Sequence, residues 1–259
     1  MNLFDFNYTQ FQEFILVFFR IGSIVVSSPI LGNQNTPMQV KIGLIFFLTL
    51  SSFSIVDVHL PVSEHNSIIE LAPLLFSEMM IGVCVGFASH VIFAAAKLAG
   101  QVIGFQMGFA IVNVMDPVSN TQISITSQSL NIFALLVFLA VDAHHWYIQG
   151  ILYSFQAISP GGFTLTGGLL ETLVQMTSAI FVVALQLAAP VLAVLFFLQV
   201  GLGVLARTVP QMNIFVVGLP LQILLGLLMM SLILPIAYTI LSREFNQLGF
   251  TIVQILKLM

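Results

Sequence analysis

The sequence predicts an all-α protein that spans a membrane several times with long, partly kinked helices. Of its 259 residues, 59% are hydrophobic and only 6% are charged, whereas soluble domains carry about 25% charged residues. Its hydrophobic stretches run well past the roughly 18 apolar residues that mark a candidate membrane span. The charges are spread thinly and include no basic run of the kind that binds nucleic acid. Membrane lipid is therefore an expected partner, and nucleic acid is not.

Two helices are expected in the first part of the chain. Phe11–Leu31 is apolar apart from a few polar residues such as Arg20, and it closes at Pro29 and a polar turn, because proline cannot continue a helical hydrogen-bond ladder. Met38–Val58 is the second expected helix, and a polar connector follows it. The residues before Phe11 include no Lys or Arg, so no cleaved signal peptide is expected.

The next apolar stretch, Ile68–Phe109, is 42 residues long. As one helix it would measure about 63 Å, against a hydrocarbon core of about 30 Å. Two interpretations remain open: two spans joined by a tight bend, or helices that project beyond the lipid inside an assembly. Asp116–Gln128 is rich in Ser, Thr and Asn and predicts a loop, and Leu130–Ile158 predicts a further helix.

Ser159–Gly168 contains a proline and four glycines and marks the clearest boundary. We therefore divide the chain into residues 1–160 and 161–259. In the second part, Leu169–Ala206 would reach about 57 Å as a helix and is expected to bend at its proline. Arg207–Gly218 is expected to turn, and Leu219–Leu241 to form the last span.

The C-terminal tail is expected to be an amphipathic helix. Its apolar residues recur every three or four positions, at Phe245, Leu248, Ile252, Ile255 and Met259. Such a helix would lie on a membrane surface or against a partner.

Three glycines four residues apart, Gly100, Gly104 and Gly108, give the most distinctive local pattern. They share one side of a helix, where another backbone can approach closely. Phe, Met and Val then follow, and Asp116-Pro117 ends the pattern. This arrangement suggests a gate, a plug or an assembly surface, and the alternative is ordinary packing within a helical bundle.

No enzymatic chemistry is predicted, and no cofactor or catalytic residue is expected. Asp142, His144 and His145 could in principle bind a metal, but neighbouring histidines in a helix point in different directions and no further ligand has suitable spacing. We therefore predict no metal site and interpret these residues as a helix end near the membrane interface. Metalloprotease, nucleophile-elbow and phosphate-loop motifs are absent from the sequence, so an intramembrane hydrolase has no support.

Several ionisable residues lie in or beside apolar stretches, where an unpaired charge is costly. One interpretation is a proton- or ion-coupled small-molecule transporter that uses Glu78, Lys97 and Asp116. The other is ion pairing between helices or subunits, and we favour it because no pair occupies matched positions in two similar halves. These residues are Arg20, Glu70, Glu78, Lys97, Asp116, Glu171 and Arg207.

Two long motifs carry a family resemblance. The first is GQVIGFQMGFAIVNVMDP at residues 100–117, followed by an apolar helix and the triplet at residues 142–144. The second is ARTVPQMNIFVVGLPLQILLGL at residues 206–227. Together they resemble the FliR family of flagellar biosynthetic proteins and its virulence type III secretion counterparts. Arg20, Pro29 and Pro37 also stand where that family places an arginine and helix-ending prolines, so the resemblance covers nearly the whole chain.

The resemblance implies a non-enzymatic subunit of a helical export gate in the bacterial inner membrane, at the flagellar basal body. It implies FliP-type and FliQ-type subunits in the same complex, FlhB- and FlhA-type export proteins nearby, and unfolded flagellar proteins as substrates. Residues 1–160 would resemble a FliP-type subunit. Residues 161–259 would resemble a FliQ-type helical hairpin with an amphipathic tail.

The resemblance further implies that a loop at about residues 106–120 plugs the channel. Methionine is flexible and soft, and an apolar constriction can exclude water and ions. The implied gate residues are Gln106, Met107, Phe109, Ile111, Val112, Met115, Asp116 and Pro117. The implied contacts between helices or subunits are Gly100, Gly104, Gly108, Arg207, Pro210 and Asn213. TQISIT at residues 121–126 lacks the proline expected after this loop.

Overall fold

A computed structural model of the chain describes residues 8–29, 32, 36–53, 68–109, 124–211 and 213–259. The described residues form seven α-helices and no β-strand, which confirms the all-α fold class. The helices are α1 (Tyr8–Ser27), α2 (Met38–Phe53), α3 (Ile68–Gln106), α4 (Ile125–Ala140), α5 (His144–Ala157), α6 (Gly167–Thr208) and α7 (Ile214–Leu258).

Four of these helices, α1, α3, α6 and α7, are long and apolar enough to cross a membrane, which confirms a multi-spanning membrane protein. α3, α6 and α7 contain 39, 42 and 45 residues, or about 59, 63 and 68 Å at 1.5 Å per residue. Because α3 is one continuous helix, it contains no tight bend of the kind that one interpretation required. All three are about twice as long as the hydrocarbon core is thick.

The sequence predicts one helix over Leu130–Ile158, but α4 ends at Ala140 and α5 begins at His144. The prediction is wrong because Asp142 between them has a φ of 54°, a left-handed conformation that interrupts an α-helix. The predicted loop is also too long at its end, because α4 begins at Ile125. Thr126 and Ser127 in the first turn of α4 donate their hydroxyl hydrogen bonds to carbonyls of α3. These hydroxyls therefore do not compete for the backbone of α4.

The predicted bounds of the last helix, Leu219–Leu241, are wrong at both ends. α7 begins at Ile214, where a turn is predicted, and it continues past Leu241 to Leu258 with Pro220 and Pro235 inside it. A proline removes one helical hydrogen bond, and long membrane helices tolerate that loss. The apolar positions of the tail are the buried side of this last part of α7, since Phe245, Leu248, Ile252 and Ile255 are at most 1% exposed.

The chain forms two compact units. The first contains Met1–Val91, Asp142–Met176 and Asn246–Met259. In it, α1 packs against α2, and the Phe14 ring lies edge-on to the Phe46 ring with their centroids 5.9 Å apart. Small residues then let α3 approach α1.

Gly82 shows this approach in the first unit most clearly. A Cβ there would stand 2.7 Å from the Cβ of Ser23, which is closer than real Cβ atoms come. Ser27 Oγ donates a hydrogen bond to the Gly82 carbonyl at 3.2 Å. The glycine therefore both admits α1 and accepts a hydrogen bond from it.

The second unit contains Ile92–Val141 and Thr177–Phe245. Three buried phenylalanines, Phe93, Phe138 and Phe245, meet in its core with ring centroids 5.2–5.8 Å apart. Such aromatic clusters bury a large apolar area with a defined geometry. They anchor the last part of α3 to α4 and α7.

Candidate functional site

The glycines of α3 lie against the start of α4 in the second unit. A Cβ at Gly100 would come 2.7 Å from the backbone nitrogen of Ser127, and a Cβ at Gly104 would strike the hydroxyl of Thr126. Thr126 Oγ1 donates to the Gly100 carbonyl at 2.6 Å, and Ser127 Oγ donates to the Lys97 carbonyl at 2.9 Å. The structure thus uses these glycines for a contact inside the chain. Their contact with a neighbouring subunit stays a prediction.

The end of α3 is a tight turn at residues 107–109. The amide of Met107 donates to the Ile103 carbonyl at 2.9 Å, and the amide of Phe109 donates to the Gly104 carbonyl at 3.1 Å. Gly108 has a φ of 88°, which glycine adopts without a side-chain clash and which commonly ends a helix. The third glycine of the series therefore ends α3 before the Asp-Pro pair of the sequence motif.

Met107 is buried beside a glycine of α7. It is 0% exposed, and a Cβ at Gly226 would stand 2.6 Å from its Cγ and 2.8 Å from its Sδ. We call the contact of Met107 with Gly226 the methionine seat. It fills a space that only glycine leaves open, and it fixes the start of the predicted plug to a membrane helix.

Two further contacts surround the methionine seat in the same unit. Gln106 Nε2 donates to Gln199 Oε1 in α6 at 3.0 Å, which pairs the donor of one side-chain amide with the acceptor of the other. A Cβ at Gly108 would stand 2.9 Å from Leu219 Cδ2, so α7 also packs against the turn itself. Phe109 is partly exposed beyond it. The predicted plug thus leaves α3 from a point held by both α6 and α7.

The other predicted gate residues lie outside the described residues, and their part in a gate stays a prediction. They are Ile111, Val112, Met115, Asp116 and Pro117.

Residues of the second motif lie at the connection between α6 and α7. Arg207 is exposed in the last turn of α6, and Pro210 is exposed after it. The carbonyl of Asn213 accepts from the amide of Val216 at 3.1 Å in the first turn of α7.

A buried ion pair occupies the first unit. Arg20 Nη2 donates to Glu78 Oε1 at 3.0 Å, and Arg20 Nε also contacts Glu78 Oε2. Arg20 Nη1 donates to the carbonyls of Ser154 and Ile158 at 2.8 and 3.1 Å, and the Gly161 amide donates to Glu78 Oε1 at 2.9 Å. The pair therefore joins α1 and α3 to the end of α5 and the glycine turn after it.

The ion pair bears on the transporter alternative. Glu78 is one of the three residues which that alternative needs, and its carboxylate is enclosed by Arg20 and a backbone amide. Lys97 is exposed in α3, and Asp116 lies outside the described residues. The described geometry thus gives Glu78 a structural partner, as the favoured interpretation of the ionisable residues predicts.

Sequence reasoning missed the two residues that contact the start of the predicted plug, Gly226 and Gln199. Gly226 belongs to the second motif, at residues 206–227, but nothing in that motif indicates which side chain packs against Gly226. Gln199 stands in an apolar run, where a lone amide signals a need for a hydrogen-bond partner. That signal identifies the residue but not its partner in α3.

Known proteins are similar to this chain over most of its length. The profile of a family described as bacterial export proteins, family 1, matches residues 11–248. The chain is 39% identical over 241 residues to the flagellar biosynthetic protein FliR of Bacillus subtilis (strain 168), covering 91% of each chain. Proteins of the same name from Escherichia coli (strain K12) and Aquifex aeolicus (strain VF5) are 30% and 28% identical, over 88% and 90% of this chain and 87% and 89% of theirs.

Proposed function

The chain belongs to family 1 of the bacterial export proteins, and on that premise we propose that it is a membrane subunit of the flagellar protein-export gate. In this proposal it lies in the bacterial inner membrane at the flagellar basal body. It passes unfolded flagellar proteins and closes the pore with the segment that follows the methionine seat. It catalyses no reaction, and the energy for export comes from other components.

The methionine seat is the observation that carries the gating proposal. A closing segment must be anchored at its base. Met107 supplies the anchor because it is buried against Gly226 in α7. Gly108 supplies a left-handed turn immediately after it, so α3 ends before the apolar residues that would form the seal. Apolar side chains at a constriction exclude water and ions.

The outer faces of α6 and α7 support a heteromeric assembly. Large apolar side chains on them are highly exposed, including Val174 at 68%, Phe197 at 72% and Leu224 at 62%. A hydrocarbon core of about 30 Å covers only about half the length of either helix. The remaining apolar surface needs protein to cover it. Subunits of the FliP and FliQ types would provide that cover, with FlhA- and FlhB-type proteins as neighbours.

Purification of the full chain from the membranes of a flagellated bacterium tests this proposal. Mild detergent and a tag on the chain should recover a complex that contains several other integral membrane proteins in unequal copy number. The measurement is mass spectrometry of the intact complex with quantification of each subunit. Recovery of a stable lone monomer or homodimer that moves a small solute into vesicles would overturn the proposal in favour of the transporter.

A further inference from the structure

Three side chains that commonly bind metals meet at the start of α5 in the first unit. The ligand atoms of Asp142, His144 and His145 all lie within 4.8 Å of one another. Asp142 Oδ1 is 3.8 Å from His145 Nδ1 and 4.0 Å from His144 Nε2. The export function proposed above uses none of these side chains.

The break between α4 and α5 creates this cluster. Neighbouring histidines inside a helix point in different directions, but these two begin α5 and their ring centroids are only 4.2 Å apart. Asp142 has a left-handed φ of 54°, which places its carboxylate beside the first turn of α5. The interruption that the sequence does not reveal is therefore what brings the third ligand into reach.

The backbone of the cluster is held in place while its side chains remain accessible. The amide of His145 donates to the Asp142 carbonyl at 3.0 Å, and the amide of Trp146 donates to the Ala143 carbonyl at 3.2 Å. Ala143 between them is 0% exposed. By contrast, the side chains of Asp142, His144 and His145 are 72%, 41% and 61% exposed. Metal binding would thus require side-chain rotation and no change of backbone.

We propose that Asp142, His144 and His145 form a three-ligand site for Zn²⁺. Two imidazoles and one carboxylate suit zinc, whereas Ca²⁺ and Mg²⁺ prefer oxygen ligands alone. With Zn–N and Zn–O bonds of about 2.0–2.2 Å, tetrahedral ligands stand about 3.3–3.5 Å apart. The closer pairs of the cluster therefore need to approach by only about 0.3–0.7 Å. Water completes the coordination, and the bound ion fixes Asp142 to the first turn of α5.

Zinc titration of the purified full chain in detergent tests this site. The purification tag must contain no histidine, and a chromogenic chelator supplies the competition. We expect one saturable Zn²⁺ per chain and at least a tenfold loss of affinity in each of two variants, His145→Ala and Asp142→Asn. Asparagine tolerates the left-handed conformation as aspartate does, so Asp142→Asn removes the charge and keeps the turn.

His90→Ala is the matched control, because His90 is an exposed histidine outside the cluster. The His90→Ala chain should bind zinc with the same affinity as the unmodified chain. X-ray absorption at the zinc edge should show imidazole nitrogens at about 2.0–2.1 Å. No saturable binding by the unmodified chain would overturn the proposal. An equal loss of affinity in His90→Ala and His145→Ala would do so as well. The two cluster variants are independent, so one that fails to fold leaves the other as the test.

Discussion

Arg20 of α1 and Glu78 of α3 stand 58 residues apart in the sequence and form an ion pair whose side chains are 0% and 1% exposed. The guanidinium also lies 4.4 Å from the centroid of the Phe155 ring, so a cation–π contact adds to the hydrogen bonds. In an apolar protein this ion pair is a specific contact between α1 and α3. Both charged side chains are thus buried together.

Glu78→Gln should destabilise the chain strongly, because it leaves the Arg20 charge buried without a carboxylate. Breaking such a pair from one side typically costs about 3–5 kcal/mol. Thermal unfolding of the purified chain in detergent measures the loss. Replacing both residues by methionine should recover part of it, since no charge then remains unpaired.

Arg243→Met is the control for this prediction. Arg243 pairs with Glu244 at 3.0 Å but is 60% exposed, and exposed pairs contribute about 0–1 kcal/mol. A loss in Glu78→Gln as small as that of Arg243→Met would contradict the structural importance of the buried pair.

Gly226→Ala should disrupt the methionine seat. The new Cβ would stand 2.6–2.8 Å from three side-chain atoms of Met107, and overpacking of this kind typically costs about 1–3 kcal/mol. Met107→Ala in the same chain should relieve the clash, so the double variant should lose less stability than the two single losses added together. Thermal unfolding of all three variants measures this coupling.

Gly203→Ala in α6 is the matched control, because nothing lies within 4 Å of a Cβ there and alanine favours a helix by up to about 1 kcal/mol over glycine. Additive losses in the Met107 and Gly226 variants would show that the two residues do not meet.

Gly100→Ala should separate α3 from the start of α4. Its Cβ would overlap the Ser127 backbone, with the Ser127 nitrogen only 2.7 Å away, and a backbone cannot rotate away as a side chain can. We expect a lower melting temperature already in the isolated chain. Gly43→Ala, with open space around its Cβ, should leave the melting temperature unchanged or raise it. If Gly100→Ala harms only assembly with other subunits, these glycines serve the interface and the contact inside the chain is unimportant.

Deleting residues 110–115 should open the assembled complex to ions. The deletion spares Met107 and Gly108, which hold the end of α3, and it removes the apolar residues that follow. Conductance of the purified complex in planar bilayers measures the leak. Ile111→Ser together with Val112→Ser should leak by the same mechanism, because polar side chains wet a constriction. Val112→Ile keeps the apolar character and should remain closed. Equal conductance in all of these variants would exclude this segment as the seal.

The sequence predicts the helices of this protein better than their ends. Apolar runs place α1, α2, α3 and α6 within a few residues, because long hydrophobic periods are strong signals. The break at Asp142 has no such signal, because the sequence around this left-handed aspartate contains neither glycine nor proline. The start of α4 is hidden for a related reason. Ser and Thr usually indicate a loop, and only the carbonyls of Gly100 and Lys97 make them suitable for a helix.

The same distinction holds for the candidate site. The glycine series at residues 100–108 identifies a face of close approach from local spacing alone, but it does not reveal that Gly100 and Gly104 face α4 while Gly108 ends the helix. Likewise, an arginine and a glutamate in apolar stretches indicate a need for partners. Only their positions in the folded chain make each the partner of the other.

By itself, the sequence determined that this is a helical membrane protein, because composition and hydrophobic period are properties of the residue types and their order along the chain. Its similarity to known sequences also assigned the chain to one export family. The tertiary structure alone decided that Met107 sits against Gly226, that Arg20 binds Glu78 and that two neighbouring histidines share an aspartate. Those contacts depend on three-dimensional distances between side chains, and long-range packing sets such distances independently of spacing along the chain.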